Sequence, residues 1–147
     1  MKLTRKPIAI ALAAFTVIAI ASFAPPIAAQ TASAELLQVK PKWKHLDLSE
    51  NPYQILYAKV RNNGTEPVWV QVRFEVISPG YPTAFYLSNV AYLPVHPPNP
   101  LRLEVTFEVP GPSKYHVVGI LYYRAEGAEW IMDGVARSLK QYFIAVP

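Results

Sequence analysis

The stretch RNNGTEPVWVQVRFEVISPG, residues 61–80, decides the fold. Through its middle Val68, Val70, Val72, Phe74 and Val76 alternate with Trp69, Gln71, Arg73 and Glu75. A period of two sustained in this way marks an antiparallel strand with one buried and one wet face. NNGTEP places a turn with Asn-Gly at its centre before the strand, and Pro79-Gly80 stops it. The five apolar residues are expected to point inward, and Trp69 to stand on the outer face.

The same pattern recurs on both sides. In LQVKPKWK, residues 37–44, Leu37, Val39, Pro41 and Trp43 share one face, and Gln38, Lys40, Lys42 and Lys44 the other. Pro41 cannot donate a ladder hydrogen bond, so this is expected to be an edge strand, with lysines discouraging further pairing. YQILYAKVR (53–61) reads as the next strand. Residues 83–93 are less regular and suggest one or two short strands. The proline-rich segment 94–100 is a stiff loop. LRLEVTFEV (101–109) alternates strictly, with Leu101, Leu103, Val105, Phe107 and Val109 inward. YHVVGILYYR (115–124) is apolar on both faces, which suits a central strand or an interface. Residues 130–146 supply one or two closing strands. Strands at such short spacing between Gly/Pro turns predict an all-β, immunoglobulin-like antiparallel β-sandwich of about seven to eight strands.

The first third of the chain differs. Lys2, Arg5 and Lys6 precede the uncharged run of residues 8–24, then Pro25-Pro26, then small residues. Basic, apolar, small is the order of a secretory signal peptide. Cleavage after Ala34 fits Ala32-Ser33-Ala34; cleavage after Ala29 is the alternative, with Ile27 a less usual third-last residue. The expected organisation is a signal peptide over 1–34 and a β-sandwich domain over 35–147. The rival reading is a retained membrane anchor, whose apolar run is shorter than the ~20 residues that comfortably span a bilayer. Either way the domain is expected outside the cell or at its surface. Pro25-Pro26 also argues against a pilin-type helix running on into the domain.

Removing residues 1–34 takes away three of the 14 basic residues and none of the 10 acidic ones, leaving 11 against 10. The basic balance belongs largely to the leader, so nucleic-acid binding loses its main support. The absence of cysteine excludes cysteine nucleophiles and thiolate metal sites. His45, His96 and His116 lie on different expected elements; His45 and Asp47 alone are too few ligands for a metal site. No serine sits in a G-x-S-x-G elbow, and the strand carboxylates Glu75, Glu104 and Glu108 alternate outward. Neither an enzyme nor a cofactor is expected. Asn63-Gly64-Thr65 is a glycosylation sequon in an expected turn, with left-handed turn geometry the other use of Asn63.

VRNNGTEPVWVQVRFEV followed by LRLEVTFEVPGPSKYHVVGILYY resembles the immunoglobulin-like domains of prokaryotic surface proteins, including the adhesion-related CARDB type. Asn63, Gly64, Thr65, Pro112 and Tyr115 carry the resemblance, over roughly residues 50–125. Gly111 precedes Pro112-Ser113-Lys114 rather than adjoining the tyrosine, a departure from the pattern. Tyr115 suits a tyrosine corner, its hydroxyl bonding backbone upstream, and Val117 falls where antibody domains carry a disulfide cysteine. The fold hosts many roles.

The expected function is therefore that of an exported, non-enzymatic structural or adhesive protein of the cell surface. It would associate with other protein subunits, copies of itself included, as a filament or surface-layer subunit. The candidate strand-exchange residues are Leu37, Val39 and Trp43. The alternatives are an extracellular glycan-binding module and, if the N-terminal segment is uncleaved, a membrane-anchored accessory subunit of an envelope complex. Trp69, Tyr122 and Tyr123 are the candidate interface or glycan contacts, because exposed aromatics stack on sugars or meet proteins.

Overall fold

Val68, Val70, Val72, Phe74 and Val76 are all buried, as the alternation requires. They line one face of β4 (Val68–Ser78). The computed structural model describes residues 31–96, 100–133 and 141–147. The expected signal or anchor helix lies outside the described residues, as do residues 97–99 of the proline-rich loop and residues 134–140 before the last strand. Among the described residues no helix is long and apolar enough to cross a membrane.

The remaining strands are β1 (Ala34–Pro41), β2 (His45–Asp47), β3 (Tyr53–Asn62), β5 (Tyr81–Leu87), β6 (Ala91–Leu93), β7 (Leu101–Glu108), β8 (Ser113–Arg124), β9 (Ile131–Met132) and β10 (Gln141–Val146). The described residues are all-β. One sheet has the order β1-β3-β7; the other has the order β2-β10-β8-β4-β5, with β6 on β4 and β9 on β8. The short strands β2, β6 and β9 bring the described total to ten, above the expected seven to eight. Every pairing is antiparallel except β2 with β10, which is parallel.

The core lies between the sheets. Val39, Leu56, Ala58 and Val60 come from one side, and Val70, Val72, Phe74, Val117, Leu121 and Phe143 from the other. Burying a side chain such as Phe74 or Phe143 contributes about 2–3 kcal/mol. An aromatic file crosses the core: Tyr81 stacks on Tyr115, Tyr115 on Phe143, and Phe107 lies between Phe143 and Tyr86. The Tyr115 hydroxyl donates to the Gly111 carbonyl at 2.6 Å, which makes the tyrosine corner. Burial raises the Tyr115 pKa above its ordinary value, and burial does the same for Tyr86.

β1 occupies the edge that Pro41 implied, but its facing differs from the alternation. A bulge between Leu36 and Gln38 inserts one extra residue. Ala34 and Leu36 are buried before it, Val39 and Pro41 after it, and Leu37 turns out of the core to be only half-buried. Val39 packs over Gly119 of β8, where an added Cβ would overlap the Val39 side chain. That glycine lets the two sheets approach closely.

After β1 the chain changes sheets through residues 42–44. Buried Gln54 holds this crossover. Its Nε2 donates to the Trp43 carbonyl at 2.8 Å, and its Oε1 accepts from the Trp43 N–H at 3.2 Å. Asn62 does similar work at the far end of β3. Its Nδ2 donates to the Glu66 and Leu93 carbonyls, and its Oδ1 accepts from the Gly64 N–H. The turn is thus built by the Asn62 side chain, not by left-handed geometry at Asn63. Among the described residues only His96, Gly80 and Gly127 have positive φ.

Candidate interaction surface

The outer face of the larger sheet is set by register. Trp69, Gln71 and Arg73 of β4 pair with Arg124, Tyr122 and Ile120 of β8. On the other flank Arg73 and Glu75 pair with Leu87 and Phe85 of β5. These residues, with Trp130 from the turn after β8, leave a cleft of about 560 Å³ lined by Gln71, Arg73, Phe85, Leu87, Tyr122 and Trp130. The Arg73 guanidinium lies over the Phe85 ring at 4.3 Å and meets Glu75 at 3.3 Å. The Arg124 guanidinium lies over Trp130 at 5.1 Å. The Nε groups of both arginines are buried without a hydrogen-bond partner. Gln71 donates its amide to the Ser88 carbonyl at 2.9 Å. Rings, the Arg73 guanidinium and one amide give the cleft stacking surfaces and directional polar groups together.

β5 closes this sheet, and no other described strand pairs with its far side. The Ser88 N–H donates to the Val72 carbonyl. Ladder bonds alternate along an antiparallel pair, so those of β5 fall at Tyr86 and Ala84. The backbone groups of Leu87, Phe85 and Thr83 therefore face the open edge. Residues 81–95 contain no charged side chain. Phe85 (53% exposed), Leu87 (59%), Val90 (45%) and Tyr92 (52%) follow one another along this border.

The sequence candidates scatter over the molecule. Tyr122 lines the cleft. Tyr123, one residue on, points the other way and packs against the core, so the two do not form one patch. Trp69 is on the outer face but outside that cleft. Its Nε1 donates to Glu126 at 2.6 Å, and its ring meets Tyr92 edge-on at 5.2 Å. With Glu66, Pro67, Tyr92, Ala125 and Glu126 it borders a smaller cleft of about 270 Å³.

Of the strand-exchange residues, Val39 is fully buried, Trp43 is half-buried and held by Gln54, and Leu37 faces away from the core. Leu37 and Val39 sit in β1, paired with β3, and Trp43 sits in the crossover that Gln54 holds. Asn63 is exposed in the turn before β4, and its N–H donates to the Ser33 carbonyl. His45, His96 and His116 are each exposed and on separate elements. Among the described residues no three His, Asp or Glu side chains gather where they would hold a metal. Asp47 has its pKa lowered by the Ser49 hydroxyl and N–H, which fixes a local turn.

Phe85, Leu87 and Arg73 were not among the sequence candidates. The signal for the first two was present in the charge-free run over 81–95. Trp130 is delivered to the cleft by the β8–β9 turn. No protein-family model matches this chain, and no curated protein is similar to it.

Proposed function

We propose that this is an exported, non-enzymatic structural protein of the cell surface that acts by self-association along the open border of β5 and β6. The observation that carries the reading is that border: unpaired backbone groups, exposed Phe85, Leu87, Val90 and Tyr92, and no charge from residue 81 to 95. Edges that must stay single are usually guarded by charge, proline or bulges. β5 has only Pro82 at its start and a bulge opposite Val76–Ser78. Antiparallel pairing of two β5 strands would extend one sheet through both copies without like-charge contacts.

The finer fold is proposed as immunoglobulin-like. In that frame β1, β3 and β7 take the places of strands A, B and E, and β10, β8 and β4 those of G, F and C. The tyrosine corner on β8 supports it. The inner positions of β4 carry valine and phenylalanine where antibody domains bury a tryptophan. The CARDB-like resemblance rests on the residues quoted for it.

Strand exchange through residues 37–43 is the less favoured route to assembly. It would have to undo the Gln54 clamp, the Val39–Gly119 contact and the whole β1–β3 ladder. Sedimentation analysis of the exported protein tests the choice. The expected result is an assembly that Phe85→Lys reduces to monomers without loss of fold. A monomeric parent protein, or an assembly indifferent to Phe85→Lys, would count against it.

A second reading is glycan binding in the cleft, favoured by the Tyr122 and Trp130 rings beside Gln71 and Arg73. It predicts binding on a glycan array that Trp130→Ala abolishes and Tyr123→Ala spares.

A further inference from the structure

We propose that the exported chain begins at Gln30, the leader being cut after Ala29 and not after Ala34. This uses the export reading but is independent of self-association. Residues 31–34 are part of the folded domain. The Thr31 N–H donates to Thr65 Oγ1 at 2.7 Å, and the Thr65 N–H donates back to the Thr31 carbonyl at 2.9 Å. The Asn63 N–H donates to the Ser33 carbonyl at 3.2 Å. Ala34 pairs with Asn62 and is 6% exposed, and Ala32 packs on the core cluster. These bonds continue the β1–β3 ladder into the turn before β4.

The turn is shaped to receive this segment. Gly64 is buried, and the three atoms nearest to a Cβ built on it all belong to the backbone of Thr31 and Ser33. A methyl group there would overlap the Thr31 carbonyl oxygen. A cut after Ala34 would discard all of these partners. It would leave the Asn63 and Thr65 N–H groups without their acceptors and remove the buried Ala34. A cut after Ala29 keeps every one. The less usual Ile27 is then the recognition residue three before the cut, and Ala32-Ser33-Ala34 belongs to the folded domain, running into β1 at Ala34.

The test is intact mass and N-terminal peptide mapping of the protein recovered from outside cells expressing the full chain. A start at Gln30, free or cyclised to pyroglutamate, is expected. A start at Glu35, or a chain retaining residues 1–29, overturns the proposal. An independent readout is Gly64→Ala in the same exported protein. With Thr31 and Ser33 present the added methyl must displace them, and the melting temperature should fall by roughly 5 °C or more. An unchanged melting temperature means that residues 31–33 are not packed there and also overturns it.

Discussion

β1 and β5 are both edge strands, and the chain treats them in opposite ways. β1 carries Glu35, Lys40 and Pro41, is kinked by a bulge, and is tied down by the Gln54 clamp that follows it. β5 also has a proline, Pro82, and a bulge, but it carries no charge, has no such clamp and presents Phe85 and Leu87 to solvent. On the self-association proposed above, one edge stays single and attached and the other pairs. An amphipathic segment near an N-terminus suggests strand donation, but burial and clamping decide whether it can leave. The open edge is instead the one whose sequence looked least regular.

The largest expected effect tests the support common to both edges. Val72→Asp places an unpaired charge between the sheets and should cost about 3–5 kcal/mol in denaturant unfolding. Both edges should be lost with it; unchanged stability would refute the facing of β4. Next, Gly119→Val acts on the β1 side alone, where its side chain meets Val39 and Leu36. It should destabilise by about 1–3 kcal/mol, and self-association measured at a temperature where the variant is folded should persist. Loss of association with intact fold would mean that β1, not β5, is the assembling edge.

pH sharpens the contrast from the other side. Tyr86 on β5 and Tyr115 on β8 both have pKa values raised above 10.0 by burial. Below pH 10 both states keep these phenols neutral and the stability is complete. As pH rises past 10 the unfolded chain ionises first and binds fewer protons than the native one, so stability falls until the folded pKa is passed. Thermal melts at pH 9 and pH 11 should show the drop, and Tyr86→Phe should reduce it. The smallest effect belongs to Arg61→Ala. The Arg61–Glu35 pair joins β1 to β3 at 2.9 Å, yet the arginine side chain is 54% exposed. Its removal should change unfolding free energy by at most about 0.5 kcal/mol.

Strict alternation made β4 and β7 legible, because a half-buried strand writes its facing directly into sequence. β8 hid its facing, since apolar residues occupy both sides; Tyr122 and Tyr123 therefore looked equivalent and are not. Periodicity cannot register a bulge, so Leu37 was placed where Leu36 and Val39 belong. Gln54 and Asn62 were readable in principle. They fall in phase with Leu56, Ala58 and Val60, and a polar residue on the buried phase must have partners to be tolerated there. The cleft was not readable, because it joins β4, β5, β8 and a turn distant in sequence.

The absence of cysteine allows the most direct test of the two edges. Single substitutions Thr83→Cys, Phe85→Cys and Leu87→Cys are placed along β5, and Lys40→Cys on β1. In symmetric antiparallel pairing the residue nearest the two-fold axis meets its own copy about 4.5–5.5 Å away between Cα atoms, within disulfide reach. Under mild oxidation one of the three β5 variants is expected to form a disulfide-linked dimer, while Lys40→Cys stays monomeric on non-reducing gels. Cross-linking through Lys40→Cys, with none from any β5 position, would contradict pairing through β5.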